Sequence, residues 1–411
     1  VRILRQDFSG HPFQAQLSRS LAARGHEVVH SSCSGYASGH GELEWKDGDP
    51  DTLRFVSIGL GRGFDKYRYH RRIPQELTYG LRLVRLVRKV RPDVFISCNE
   101  PLLAKAVVGA YCWLTGRRWV FWLQDLYSVA MRRELARLLR APGDLIGRGF
   151  EALERWLVRR ADGVVMISYA FNDWLIDHGI HPANATVIPN WAPLDELEYF
   201  EQDQGWFAAN AGVPADAPVA LYSGTLGRKH DASMFLALAD RLRPTGGHVV
   251  VISEGPAAEV LQEEAAQRPN LHVLPFQPWA EVPKILGSAS VLLGILAPDA
   301  AKYSVPSKVL TYLCAGRPIV VSMASDNLAA QHIRDAAAGT VTEPDDIDGF
   351  AEAVARLIAD PTERQVLGHS ARRFAEKTFD IQHITDQFED VLGPAAAESA
   401  PSRAKRAAKV A

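Results

Sequence analysis

Three short stretches in the second half of the chain combine glycine, hydroxyl and cationic residues at spacings that can hold an anion. In "YSGTLGRKHD", residues 222–231, a run of small apolar residues ends at Ser223-Gly224, and Thr225, Arg228 and Lys229 follow before a helix start at Asp231. Glycine lets a backbone N–H come close to a ligand. Arg228 can grip phosphate oxygens through a fork of donors, and Lys229 supplies a compact charge. In "YSVPSKVLTYLCAGRPIVV", residues 303–321, Ser304 or Ser307 can cap a helix with Pro306 in its first turn, which Gly316 and Pro318 end. Such a helix start attracts an anion through free N–H groups and its dipole, with Ser307 and Lys308 adding a hydroxyl and a charge. In "VISEGPAAEVL", residues 251–261, Glu254 can accept sugar or ribose hydroxyls while Gly255 allows close backbone contact. Each stretch alone reads equally as a solvated or capped loop. Together they fall on one edge of one sheet and suggest a nucleoside diphosphate.

The first half offers a facing wall. Ser9-Gly10-His11 turns from the first strand into the first helix, and His11 reads as a proton shuttle, a phosphate contact or a capped, solvated histidine. "FWLQDLYS" puts Asp125 just past a strand, where a carboxylate orients an acceptor hydroxyl, takes its proton, or caps a helix. Glu100 in "SCNEPLL" has the same readings. No G-x-G-x-x-G follows the first strand, and "GLGRGF" at 59–64 reads as a loop followed by no good helix, which disfavours a nicotinamide oxidoreductase. Cys33, Cys98, Cys112 and Cys314 form no CxxC pair, so neither a disulfide framework nor a zinc site is expected, and reduced thiols in the cytosol are the simple reading. No metal and no cofactor is expected.

The elements that must carry these residues alternate strand and helix in both halves. Strands are expected at 1–5, 27–31, 93–97, 119–123, 163–167 and 185–188, then at 218–223, 248–253, 271–274, 291–293 and 318–321. That alternation predicts an α/β chain of two Rossmann-like, doubly wound domains facing each other across a cleft. The boundary falls near "IPNWAPLDELEYF", 188–200. The 411 residues thus read as 1–190 and 191–378, a last helix over 379–393, and a tail over 394–411 too poor in large apolar residues to fold. The whole chain carries −2, which predicts no affinity for nucleic acid, but residues 1–190 carry +8 and 191–392 carry −13. The chain opens directly on a strand, so no signal peptide is expected, and no apolar run reaches the ~18 residues that span a bilayer. In "LTYGLRLVRLVRKVR", 77–91, Leu77, Leu81, Val84, Val87 and Val90 oppose Arg82, Arg85, Arg88 and Arg91. In "MRRELARLLR", 131–140, Met131, Leu135, Leu138 and Leu139 oppose Arg132, Arg133, Arg137 and Arg140. Both can lie on the inner membrane surface or dock a phosphorylated lipid, and both equally read as helices packed on their own sheet with a solvated basic face.

"LAARGHEVV", "VIPNWAP", "YSGTLGRKHD", "SEGP" and "VPSKVLTYLCAGRPIVV", taken in order, resemble the retaining GT-B glycosyltransferases of glycosyltransferase family 4. The similarity runs from Val1 to about Leu392 and is greatest to bacterial members acting in polysaccharide and cell-surface glycan assembly. It implies a GT-B fold with a nucleotide-sugar donor on the second domain and a glycan or polyprenyl-linked acceptor on the first. It implies no metal, a cytoplasmic enzyme, and a last helix that crosses back to the first domain. On it, Lys229 with Arg228 meets the diphosphate, Ser307 and Lys308 touch the donor, and Gly10 approaches the phosphates. The family's two donor-loop glutamates, seven residues apart, are Tyr303 and Thr311 here, and Thr225 stands where an arginine is frequent. Asp125 is the nearest counterpart of the first-domain histidine, and Glu254 is a candidate substitute for ribose recognition. Two other readings stay open: a GT-B-shaped sugar-nucleotide epimerase or hydrolase, and a non-catalytic nucleotide-sugar-binding module.

Overall fold

The computed structural model describes residues 1–36, 43–61, 63–65, 68–181, 185–199, 205–226, 232–296 and 305–393. It divides into two compact units, Val1–Pro189 with the segment from Ile381, and Asn190–Asp380. In the first, the described strands are β1 (Arg2–Asp7), β2 (Glu27–Cys33), β3 (Leu53–Ile58), β4 (Val94–Cys98), β5 (Arg118–Leu123), β6 (Gly163–Met166) and β7 (Ala185–Val187). They form one parallel sheet ordered β3-β2-β1-β4-β5-β6-β7. In the second, β8 (Val219–Ser223), β9 (His248–Ile252), β10 (Leu271–Leu274), β11 (Val291–Ile295), β12 (Ile319–Ser322) and β13 (Gly339–Thr342) form a parallel sheet ordered β10-β9-β8-β11-β12-β13. Each is a Rossmann-like unit. The central strands β4 and β11 are buried at every position, as in a sheet covered on both faces, while central β1 also buries polar Arg5, Gln6 and Asp7. The two strands that the sequence reading did not contain, β3 and β13, are edge strands whose apolar runs are broken by polar residues, exposed Arg54 and Ser57 in β3 and half-buried Thr340 and Thr342 in β13.

The helix Pro12–Ala23 buries polar as well as apolar residues, Gln14, Gln16, Ser18 and Ser20 among them. It lies between the sheet and the last helix, Ile381–Leu392. Thr385 Oγ1 donates to Ser20 Oγ at 2.7 Å, and Phe388 packs 4.7 Å from Trp122 on β5. Arg24 ties the same helix down through Asp386 at 2.5 Å and Glu389 at 2.6 Å. The polar side chains find partners inside: Arg5 of β1, 1% exposed, donates to the Gln14 carbonyl and to Ser18 Oγ at 2.5 and 2.8 Å.

Both basic helices differ from the sequence reading. The first spans Tyr69–Val90 and follows the glycine loop, with Pro74 inside it. It buries Gln75, Glu76, Tyr79, Leu83 and Val87, while Leu77 and Leu81 are exposed. Gln75 and Glu76 are buried because they are bonded: Gln75 Nε2 donates to the Gly63 carbonyl at 2.9 Å, and Glu76 accepts from Arg72 at 2.6 Å. The second spans Tyr127–Leu139 and pairs with the helix Ala141–Arg160 as a hairpin. There Leu135 is buried, whereas Leu138 and Leu139 are exposed. Arg132, expected on the solvated face, bridges Asp144 at 2.7 Å and Glu151 at 2.9 Å. No described helix is long and apolar enough to cross a membrane. The tail 394–411 lies outside the described residues.

Glycine sets the hairpin's spacing. A Cβ at Gly143 would stand 1.9 Å from the Leu135 carbonyl oxygen, and one at Gly147 would stand 2.6 Å from Arg132 Cα. Gly143→Ala must push the helices apart against backbone, so a loss of about 2 kcal/mol or more is expected. Denaturant unfolding checks it; an unchanged midpoint would contradict the packing.

Candidate active site

In the second unit the site begins at the carboxyl end of β8. Gly224, at φ 144°, occupies backbone space that favours glycine. Lys308 uses the room: a Cβ at Gly224 would lie 2.7 Å from Lys308 Nζ. The ammonium sits 3.6 Å from the centre of the Tyr222 ring, a cation–π contact. Burial pushes it down to about 7, and no charged group among the described residues offsets that. The helix carrying it spans Ser307–Ala315, with Pro306 at the N-cap and Gly316 closing the end at φ 63°. Ser307 is therefore the first helical residue, and no side-chain capping bond is made. Tyr312, one turn on, locks the helix to β8: its hydroxyl accepts from Ser223 N at 2.9 Å and donates to the Ser223 carbonyl at 3.2 Å. An incoming anion would meet a helix N-terminus and an ammonium together.

The β9 turn abuts this one. Leu226 N donates to Ser253 Oγ at 2.9 Å, and Gly224 N donates to the Ile252 carbonyl at 3.0 Å. Gly255, at φ 120°, is the N-cap of the helix Pro256–Ala265, and Glu254 is exposed beside it. Thr225 is exposed as well, while Thr311 Oγ1 donates to the Ser307 carbonyl at 3.4 Å. Gly224, Thr225, Glu254, Gly255, Ser307, Lys308 and Thr311 thus share the carboxyl edge of this sheet. Arg228, Lys229, Asp231, Tyr303 and Ser304 lie outside the described residues.

In the first unit the carboxyl edge of β1, β4 and β5 gathers a polar cluster. Asp7, fully buried at the end of β1, accepts from Ser9 N at 3.2 Å and His11 N at 2.5 Å and stands 3.5 Å from His11 Nδ1. Burial would raise the Asp7 carboxyl, but the bonds and charge of His11 outweigh it and hold it below its ordinary value. Burial would lower His11, but Asp7 and the charge of Asp125 raise it. Gly10 makes the turn at φ 72°, and Asn99, at φ 61°, places its amide 3.4 Å from His11 Nδ1. Burial pushes Asp125 up to about 6 against His11 and Lys105. Leu126, not Asp125, caps the helix Tyr127–Leu139, so the capping role is excluded. His11, whose pKa is raised, and Asp125, whose pKa is raised to about 6, are therefore close enough to influence one another. Asp7 was missed although it has the signal that singled out Asp125, a carboxylate closing a strand.

Behind the cluster lies a buried ionic group. Lys105, 3% exposed, sits 3.9 Å from the centre of the Phe121 ring and 3.4 Å from fully buried Glu100. Glu100 therefore faces inward and is not on the surface of the site. Fully buried Glu154 accepts from Ser128 N at 3.1 Å and Ser128 Oγ at 2.5 Å. Burial pushes each glutamate up to about 7.

Residues 11–191 match the family model described as glycosyl transferase 4-like domain, and residues 217–360 match glycosyl transferases group 1. WcaI of Escherichia coli (strain K12), named as a colanic acid biosynthesis glycosyl transferase, is 24% identical over 311 residues, 74% of this chain and 75% of its own. Among solved structures, sucrose-phosphate synthase from Thermosynechococcus elongatus matches with TM-score 0.73 at 17% identity, covering 97% of this chain and 100% of its own. Anabaena HepE, solved in complex with UDP-glucose, matches with TM-score 0.66 at 15% identity, covering 95% and 99%. At these identities the structures establish the fold.

The buried glutamates give a pH signature. Their folded values lie above the ordinary 4.5, so the unfolded chain releases these protons first. Their contribution to stability is full below about pH 4.5 and is lost as pH rises towards 7. Glu100→Gln and Glu154→Gln should each flatten that decline in melting temperature; slopes equal to wild type would contradict their ionisation in the fold.

Proposed function

We propose, since the chain belongs to the GT-B glycosyltransferases of the family 4 type, that it transfers a hexosyl group from a nucleoside-diphosphate sugar to a glycan or polyprenyl-linked acceptor with retention. The observation that carries this reading is the Lys308 ammonium seated in the gap left by Gly224, beside an uncapped helix start. As the anomeric C–O bond breaks, negative charge grows on the departing diphosphate. A preorganised ammonium and free helix N–H groups stabilise that charge. Arg228 and Lys229, four and five residues beyond Gly224 in sequence, are proposed to add to it, and this complement of cations is the ground for proposing a transfer independent of metal. Glu254 and Thr311 are the groups proposed to meet the nucleoside or sugar hydroxyls. No cofactor enters the proposal: the nucleotide sugar is a substrate.

In the first unit, Asp125 is proposed to orient the acceptor hydroxyl or take its proton, and His11 to serve as a proton donor or phosphate contact. With retention, the hydroxyl attacks from the side the diphosphate leaves, whose oxygen is the alternative proton acceptor. Cell-envelope polysaccharide assembly, as in the name of WcaI, is the proposed setting. A cytoplasmic site of action fits four cysteines that are all free and buried.

Lys308→Gln should weaken nucleoside-diphosphate binding, read by calorimetry, about tenfold or more, and lower transfer in step; unchanged values for both would remove Lys308 from the mechanism. In the free enzyme, kcat/KM should rise with pH as Asp125 ionises near 6 and fall as Lys308 loses its proton near 7. Asp125→Asn should remove the acidic limb and Lys308→Arg should move the basic limb up. A profile insensitive to both substitutions would contradict these roles. Transfer should survive a chelator; loss restored by added divalent ion would overturn metal independence.

A further inference from the structure

The hairpin of Tyr127–Leu139 and Ala141–Arg160 holds large apolar side chains out at its tip. Leu138 and Leu139 are 52% and 51% exposed, Leu145 is 71% and Ile146 is 47%. The crossing explains why they are not buried. With Gly143 against the Leu135 backbone and Gly147 against Arg132, the helices touch through their main chains and leave no slot for a leucine. Exposed Arg137, Arg140 and Arg148 surround the tip; Arg137 pairs with Glu134 at 2.7 Å and Arg148 with Asp144 at 2.9 Å on their own helices, and lipid phosphates would compete with those exposed pairs. Residues 127–160 hold eight arginines against four carboxylates, and one of these, Glu154, is fully buried.

The tip's direction follows from one contact. Ser128, just past the carboxyl end of β5, bonds Glu154, so Glu154 lies level with that edge. The helix then runs on to Arg160 and enters β6 at the amino edge. In the other direction, from Glu154 back to Ala141, it extends about 20 Å. The tip therefore projects beyond the carboxyl edge, the same edge that holds His11 and Asp125.

We propose that this tip is a membrane-docking surface, with Leu138, Leu139, Leu145 and Ile146 entering the interface of an anionic bilayer and the arginines meeting lipid phosphates. Convexity, an apolar end and a ring of guanidiniums suit a soft anionic interface, into which arginine stems can lie while their heads stay at the phosphates. Charge complementarity commits the partner to anionic lipid. The proposal is independent of the transfer reaction, and its test uses no sugar.

The full chain is sedimented with vesicles of phosphatidylcholine alone or with about one third phosphatidylglycerol. Wild type should partition onto the anionic vesicles and be released by salt. The double variant Leu138→Ser, Ile146→Ser should lose that partitioning by about tenfold with its melting temperature kept. Arg137→Gln with Arg148→Gln should weaken it and reduce its salt dependence. No partitioning by wild type, equal binding to neutral vesicles, equal partitioning of the serine variant, or tip substitutions that abolish self-association instead would each overturn the proposal.

Discussion

An ammonium group removed from water needs a compensating partner. Lys308 finds a π-face at Tyr222 and, among the described residues, no carboxylate. The arrangement is open to an anion because the usual internal partner is missing. Three sequence choices make it possible. Gly224 vacates the volume the lysine end occupies, Tyr222 supplies the ring beneath it, and Tyr312 ties the lysine's helix to the strand. A diphosphate there would gain a charge already positioned and partly desolvated, and its arrival would favour the protonated amine that burial disfavours.

The first unit handles buried charge in the opposite way. Asp7, His11, Asn99, Glu100, Lys105, Ser128 and Glu154 satisfy or oppose one another across β1, β4, β5 and the hairpin. The result is a buried polar layer behind the edge on which His11 and Asp125 stand. Such a network contributes little net stability compared with apolar packing, but its geometry breaks if one member is removed. That would suit the role proposed for this edge, holding an acceptor hydroxyl in one orientation. The units thus differ in their charge: one leaves a cation without a carboxylate among the described residues, and the other sets a weak acid near an imidazole whose pKa is raised.

Central strands were legible because both faces are covered and their apolar runs are unbroken, as in "VFISC" and "VLLGI". "LRFVSI" and "GTVT" were not, since edge strands tolerate polar residues. The turn glycines were legible as punctuation, and Gly224 and Gly255 do sit at positive φ. Helix faces were misread where polar residues go inside with partners that lie far off in sequence. Glu76 accepts from Leu103 N at 3.2 Å on the face that also buries Tyr79, Leu83 and Val87, and Leu77 is left exposed. Lys308 was singled out as a charge for an anion, but its partner Tyr222 is a strand residue of another element, a pairing that spacing alone does not encode. Asn99 entered no pattern, yet its left-handed backbone is what aims its amide at His11.

The most direct measurement is acylation of the wild-type protein near neutral pH, mapped lysine by lysine with and without nucleoside diphosphates. An amine whose pKa is lowered to about 7 is about half unprotonated near neutral pH and reacts faster than an ordinary lysine. The account predicts that Lys308 is acylated ahead of exposed lysines and is shielded once a nucleoside diphosphate is bound. Ordinary reactivity at Lys308, or a rate unchanged by every nucleoside diphosphate tried, would contradict it.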